Sequence, residues 1–226
     1  MTNKVSLAIL LAFCAIYAAL GQESSTPTPE QTPSPSPARN VRLSFVPPPM
    51  EGTISLGIFD ASRKLVRVLH REAKIDSFTI DADSLNTTWD GKNDAGEDLP
   101  RGKYRARGYL VAQLKVEDIG KGATSIPSGT LDHVAIKLMT NPLVADTRSV
   151  VDLGVGFDPH GSFLKTMDGL PLATISETAK VIRVLVAKNG DKSVDVWQDD
   201  GLVVEQFRVS NIDKMMAFDC GEFELK

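Results

Sequence analysis

The sequence predicts an all-β protein, a β-sandwich followed by a second small antiparallel β domain. Three observations predict it. Apolar residues recur at every second position, as at Ile54, Leu56 and Ile58 with Ser55 and Gly57 between them, which is the period of a half-buried strand. Turn-forming clusters separate such runs, among them Lys188-Asn189-Gly190-Asp191 and Asp199-Asp200-Gly201. Asn-Gly or Asp-Gly between alternating runs is the strongest short hairpin signal. Residues 39–118 hold no convincing amphipathic helix, and short strands with turns between them indicate a sandwich.

The elements follow in chain order. Residues 1–21 have the plan of a secretory signal peptide. Lys4 is the one charged side chain, residues 5–19 are apolar apart from Ser6, and Ala19-Leu20-Gly21 places small residues before a cut between Gly21 and Gln22. An uncleaved anchor is the rival reading, but a bilayer span needs about 20 apolar residues. Cys14 follows Phe13 inside the apolar run, which argues against a lipidated cysteine. Cleavage leaves Cys220 alone, so no internal disulfide is possible. Cys220 reads as a small apolar residue near a terminal strand, with intermolecular pairing or a free reactive thiol as the alternatives.

Residues 22–38 read as a Pro/Ser/Thr-rich disordered linker. They hold Pro27, Pro29, Pro33, Pro35 and Pro37, and no Val, Ile, Leu, Phe, Tyr or Trp. Such a segment cannot bury a core and favours extended polyproline conformations, with a reach of roughly 50 Å. It serves either as a stalk or as a passive tail.

Residues 39–118 hold the sandwich. Strands are expected at 54–58 and 65–69, with a turn at Asp60-Ala61-Ser62-Arg63 between them. A long strand follows, with Tyr104, Ala106, Leu110, Ala112 and Leu114 on one face and Arg105, Arg107, Gln113 and Lys115 on the other. Residues 119–130, with Gly120, Gly122, Pro127 and Gly129, read as a second linker. Residues 131–226 read as an antiparallel meander with strands at 150–157, 181–187, 193–197 and 202–209 and a short helical turn at 176–180. The stretch Ser193-Val194-Asp195-Val196-Trp197 looks like part of a propeller blade. A closed propeller needs about four blades of roughly 40 residues each, more than this segment holds.

Hydrophobic residues make up 42% of the 226 and charged residues 24%, as in an ordinary soluble protein. This excludes a collagen, a disulfide scaffold, a polytopic membrane protein and a wholly disordered chain. The formal net charge is −4. Residues 39–118 carry 13 basic and 12 acidic side chains, and residues 119–226 carry 11 and 15. A nucleic-acid binder shows a basic excess on one face. The local candidate, Arg101, Lys103, Arg105 and Arg107 with Tyr104 and Tyr109 interleaved, reads instead as the solvated face of a strand. No nucleic-acid partner is expected.

The most specific text in the chain is Trp89-Asp90-Gly91-Lys92-Asn93-Asp94-Ala95-Gly96-Glu97-Asp98-Leu99-Pro100-Arg101-Gly102-Lys103-Tyr104. Trp89 and Tyr104 are large apolar bodies with polar tips, suited to anchoring a core. Asp90-Gly91 and Ala95-Gly96 supply turns, and Pro100 fixes φ ahead of the next strand. The clustered Asp90, Asn93, Asp94, Glu97 and Asp98 raise calcium as an alternative. An EF-hand loop needs acidic or amide residues at its third and fifth places, Gly at the sixth and Glu at the twelfth. Counted from Asp90, those places include Lys92, Ala95 and Arg101, so the match fails. The stretch resembles the Ig-like domain of the flagellar hook-capping protein FlgD (the FlgD/Vpr type), which also occurs in many secreted bacterial proteins. The resemblance covers about residues 39–118 and implies an Ig-like β-sandwich. Family members usually carry Gly where Arg63 stands. Hook capping itself does not transfer, because a signal peptide and linker replace the hook-binding amino-terminal region.

No chemistry-bearing constellation emerges, so no catalytic, cofactor-binding or metal residue is assigned and no cofactor is expected. His70, His133 and His160 form no H-x-x-x-H or H-E-x-x-H pair. His70 reads as a surface residue at the end of a strand. No G-x-S-x-G elbow is present, and Gly154-Val155-Gly156 continues as Phe157-Asp158-Pro159, not as a dinucleotide fingerprint. Asn86-Thr87-Thr88 is a glycosylation sequon. The sequence therefore points to a secreted or periplasmic, non-enzymatic binding or assembly protein of the cell envelope or exterior. Its expected partner is another envelope or extracellular protein. Two alternatives stand beside this. A hydrolase of envelope polymers would use Asp158, His160 or neighbours in a cleft between the domains, with His133 beside Asp132 converging on His160. A carbohydrate-binding accessory module would need exposed aromatics in a row.

Overall fold

The structure, a computed structural model, describes residues 39–121, 129–143, 148–178 and 180–226. The expected signal peptide and proline-rich linker lie outside them. The described residues are all-β. Four antiparallel sheets hold fifteen strands, joined by one 3-10 turn at Ile75–Ser77.

The first sheet has the order β1-β5-β4, from β1 (Val41–Phe45), β5 (Leu85–Trp89) and β4 (Thr79–Ile80). The second runs β15-β6-β2-β3, from β15 (Met215–Leu225), β6 (Gly102–Val111), β2 (Thr53–Asp60) and β3 (Leu65–Ala73). The third runs β11-β10-β9-β8, from β11 (Pro171–Ser176), β10 (Gly161–Thr166), β9 (Val150–Asp158) and β8 (His133–Lys137). The fourth runs β12-β13-β14-β7, from β12 (Arg183–Asn189), β13 (Ser193–Asp199), β14 (Val204–Ser210) and β7 (Lys115–Lys121).

The second sheet is covered on both faces along β2 and the end of β6, while Lys103 and Arg105 leave the start of β6 exposed on one side. Ile54, Leu56 and Ile58 of β2, Tyr104, Ala106 and Leu110 of β6, and Phe218 of β15 form one core with Leu43, Phe45, Leu85 and Trp89 of the first sheet. Phe45 stacks on Phe218 with ring centroids 4.4 Å apart. From the opposite face Tyr109, Val111, Met215 and Ala217 enter a second core with residues of the third and fourth sheets. Double burial explains why β2 and the end of β6 lose the polar alternation of a one-sided strand. It also demands close backbone approach. A Cβ on Gly108 would lie 2.3 Å from the Ser55 carbonyl oxygen and 2.7 Å from the Phe218 ring.

Four expectations from the sequence need correction. Residues 131–226 do not stand apart, because β15 returns across the chain to pair with β6 from Met215↔Val111 to Leu225↔Gly102. Residues 39–226 cluster as one compact unit. The linker expected from 119 begins instead inside β7, which pairs with β14. Its charged, glycine-containing sequence disguises an exposed edge strand. The long strand expected through Lys115 ends at Val111, and Lys115 starts β7. The helical turn expected at 176–180 is not formed by Ser176, which ends β11, or by the extended residues 177–178. Both predicted hairpins form, β12 with β13 and β13 with β14. In the β2–β3 turn, Arg63 takes φ 69°, the left-handed conformation that favours glycine. Asp60 Oδ1 accepts the N–H groups of Ser62 and Lys64 and stabilises that turn.

Since β15 lines both cores, a chain ending before Met215 is expected to lose the melting transition of the whole unit, as read by circular dichroism. A separate folded 39–118 module in that truncation would contradict the shared-strand architecture.

Candidate functional site

The tryptophan-bearing loop is a self-contained turn. The Trp89 side chain is fully buried, and its Nε1–H donates to the Lys92 carbonyl at 2.9 Å. Trp89 packs edge-on to Tyr104, whose hydroxyl donates to the Pro100 carbonyl at 2.8 Å. The loop's oxygens accept protein donors. Asp90 Oδ1 takes the Lys92 N–H, Asn93 Oδ1 takes the N–H groups of Ala95 and Glu97, and Glu97 Oε2 takes the Asn93 amide. Asp94 Oδ1 reaches out to the Val68 N–H of β3 at 3.0 Å. The loop thereby fastens itself over part of the β3 edge. Among the described residues no group of three His, Cys, Asp or Glu side chains converges as a metal site.

The three histidines stay apart. His70 is not a surface residue. It lies within β3, half-buried, 4.4 Å from the Phe78 ring centroid, with Nε2 2.8 Å from Thr87 Oγ1. Burial lowers its pKa. His133 sits opposite Gly154, whereas His160 lies beyond Asp158 at the far end of β9. Four residues of strand, roughly 13 Å, separate the two positions, so they do not converge. Asn86 of the sequon is buried, its amide donating to Asp81 and its oxygen accepting from Arg42. It offers no acceptor nitrogen in the folded protein. The basic stripe is largely paired: Lys103 with Glu222, Arg105 with Asp219 and Arg107 with Asp168. Tyr104, Tyr109 and Trp197 are buried like Trp89, so the described residues present no exposed aromatic row for a sugar.

The structure instead singles out a cleft between β3 and β11. Both are terminal strands of their sheets. A register shift between Ile54 and Leu56 of β2 marks a bulge in β3, where Arg71 and Glu72 together oppose Ser55. There Glu72 holds φ 48°, and its N–H donates to the buried Ser55 Oγ. A bulge re-aims side chains, and here it delivers Arg71 and Glu72 to the cleft. Glu72 Oε1 accepts the Thr174 hydroxyl at 2.7 Å, and Arg71 Nη1 donates to Asp158 Oδ2 at 3.0 Å. The Arg71 guanidinium also lies 4.3 Å from the Phe163 ring centroid, a cation–π contact. Burial raises the Asp158 pKa, but the His160 N–H and Arg71 outweigh it and hold the carboxyl below its ordinary value.

These contacts divide the cleft into two lobes. One, of about 540 Å³, has Val111, Leu114, Val116, Glu51, Glu72 and Lys74 in its lining. The other, of about 520 Å³, is lined by Arg71, His160, Thr174 and Glu177. Thus His160, flagged from the sequence, lines a cleft, and Asp158 reaches it only through its bond to Arg71, with His133 elsewhere. No sequence signal marked Arg71 or Glu72. Compared with protein-family models, curated proteins and solved structures, the chain matches none.

Two outcomes follow from these environments. An imidazole kept neutral by burial resists a proton that the unfolded chain accepts, so stability should fall as pH drops below about 6.5. Replacing His70→Gln should flatten that fall when melting is compared at about pH 7.5 and about pH 5. Desolvation pushes the Cys220 thiol up to about 12, so it should react with a thiol reagent far more slowly in the native protein than in denaturant. Equal rates in both would refute the buried, protonated thiol.

Proposed function

We propose that this chain is an exported, non-enzymatic binding or assembly protein of the bacterial cell envelope or exterior, carrying an Ig-like module of the FlgD type. One observation carries the reading. Arg71 bonds Asp158 and Glu72 bonds Thr174 across the two halves of the chain, and beside them lies a groove bordered by β3 and β11. Strand edges recognise other polypeptides through backbone hydrogen bonds, whereas a hydrolase needs an unengaged acid or base facing its substrate.

The Ig-like part is supported by the Trp89–Tyr104 pair at the centre of one core and by the Tyr104 hydroxyl bonded four residues back. A tyrosine bonded a few residues upstream recurs in Ig sandwiches. Export is supported by residues 1–21 and the proline-rich stretch after them. A hydrolase remains the second reading, because His160 borders one lobe and its N–H is held by Asp158.

Cross-linking of the tagged chain in its own cells, followed by isolation of the envelope fraction, tests the reading. One stoichiometric protein partner is expected. Turnover of an envelope polymer by the purified chain, abolished by His160→Ala, would replace it with the hydrolase.

A further inference from the structure

We infer that the peptide bond between Asp158 and Pro159 is a self-cleavage site, at which the Asp158 carboxylate displaces the Pro159 nitrogen. The inference is independent of the binding reading above, since the reaction needs no partner and runs once per chain.

The first support is the chemistry of the pair, which occurs once in the sequence. An aspartate side-chain oxygen reaches the carbonyl carbon of its own residue by closing a five-membered ring. Nucleophile and electrophile are therefore held together by covalent bonds, the extreme of proximity. The bond to proline is a tertiary amide. Its nitrogen departs as a secondary amine, which is more basic than the amine that an ordinary residue releases.

The second support is the state of the carboxylate. Asp158 Oδ1 accepts the His160 N–H at 2.8 Å, and Oδ2 accepts Arg71 Nη1 at 3.0 Å. Both bonds favour the ionised form, which is the form that attacks. A carboxylate offers about four lone-pair positions, so two accepted bonds leave others free for the carbonyl carbon. Arg71 is itself steadied by the Phe163 ring.

The third support is the turn. β9 and β10 pair at Asp158↔Gly161, so Pro159 and His160 alone connect them. Two-residue hairpins favour turns with φ above zero at the first central residue, whose twist matches the strands. The proline ring fixes φ near −65°, and His160 does not take a positive φ either. A turn of that hand splays its strands. Gly161 absorbs the mismatch at φ 140°, pressed so closely on the Ser176 carbonyl that a Cβ there would lie 1.9 Å from its oxygen. Breaking the bond at the turn relieves this, while β9 stays paired with β8 and β10 with β11. Strain held at a reacting group by its surroundings is a recurrent device of functional sites.

The reaction balances as a hydrolysis. A new C–O bond forms between the Asp158 side chain and its own carbonyl carbon, and the C–N bond to Pro159 breaks. The nitrogen takes a proton from solvent, to which Pro159 and His160 are exposed. One water then opens the cyclic anhydride on Asp158 and leaves two carboxyl groups.

Prolonged incubation of the purified chain tests this, under mildly acidic conditions at which circular dichroism still reports the native fold. Intact-mass analysis is expected to find two fragments, one ending at Asp158 and one beginning at Pro159, which stay together on a sizing column until denatured. Asp158→Glu keeps the charge but needs a larger ring, and Pro159→Ala restores an ordinary amide. Each should slow cleavage about tenfold or more, and Pro159→Ala should melt like the parent. Cleavage should also run several-fold faster in the native chain than in denaturant at the same pH. Absence of these fragments, an unchanged rate in Pro159→Ala, or an equal rate in denaturant would each overturn the inference. Should Asp158→Glu fail to fold, the proline variant and the denaturant comparison decide it.

Discussion

Everything in this fold is arranged around a sheet that is buried on both faces along β2 and the carboxy-terminal end of β6. The strands β15, β6, β2 and β3 present Phe218, Leu110 and Leu56 to one core and Met215, Val111 and Tyr109 to another. Where both faces are covered, in β2 and at the end of β6, the strand cannot alternate apolar with charged residues. Where backbones crowd, it must also do without side chains, as at Gly108. Its polar requirements are met at its margins, where the first sheet and the two carboxy-terminal sheets close over it.

Arginine carries much of that closure. Three guanidinium groups each lie over an aromatic ring, Arg71 on Phe163, Arg107 on Phe59 and Arg148 on Tyr109. From there each reaches an oxygen from the other half of the chain or its returning strand: Asp158, Asp168 and the Phe218 carbonyl respectively. A planar cation can lie on a ring and still direct its donors sideways, which a lysine ammonium cannot do as well. The stems add apolar cover over the seams. The joint between the halves is thus built from contacts that are partly polar and partly packed, and the candidate cleft is the part of that joint left open.

Much of the local structure was legible in the sequence, while its partnerships were not. Asn189-Gly190 and Asp200-Gly201 announced their hairpins because φ above zero at a turn requires specific residues. The loop from Trp89 to Tyr104 was legible as turn chemistry for the same reason, its oxygens being placed to take nearby N–H groups. β7 escaped because an exposed edge strand with a bulge carries charges and glycine, the composition of a linker. The return of β15 escaped because nothing local to Met215–Leu225 encodes a partner as distant as β6. At the site, Asp158 and His160 could be flagged by type. The bulge that turns Arg71 and Glu72 inward follows from a one-residue mismatch between β2 and β3, which no residue identity advertises.

The late arrival of β15 has a kinetic meaning. Arg105 on β6 bonds Asp219 on β15, a separation of 114 residues. Contacts so distant make folding slow, because loop entropy is lost before the pairing rewards it. During synthesis, β2 and β6 are complete long before the strand that finishes their sheet has been made. Until then both faces of the sheet lack part of their cover, and the nascent chain has no finished core to settle into. Were the chain exported as proposed, slow commitment of this kind would suit passage through a narrow pore before its final shape is reached.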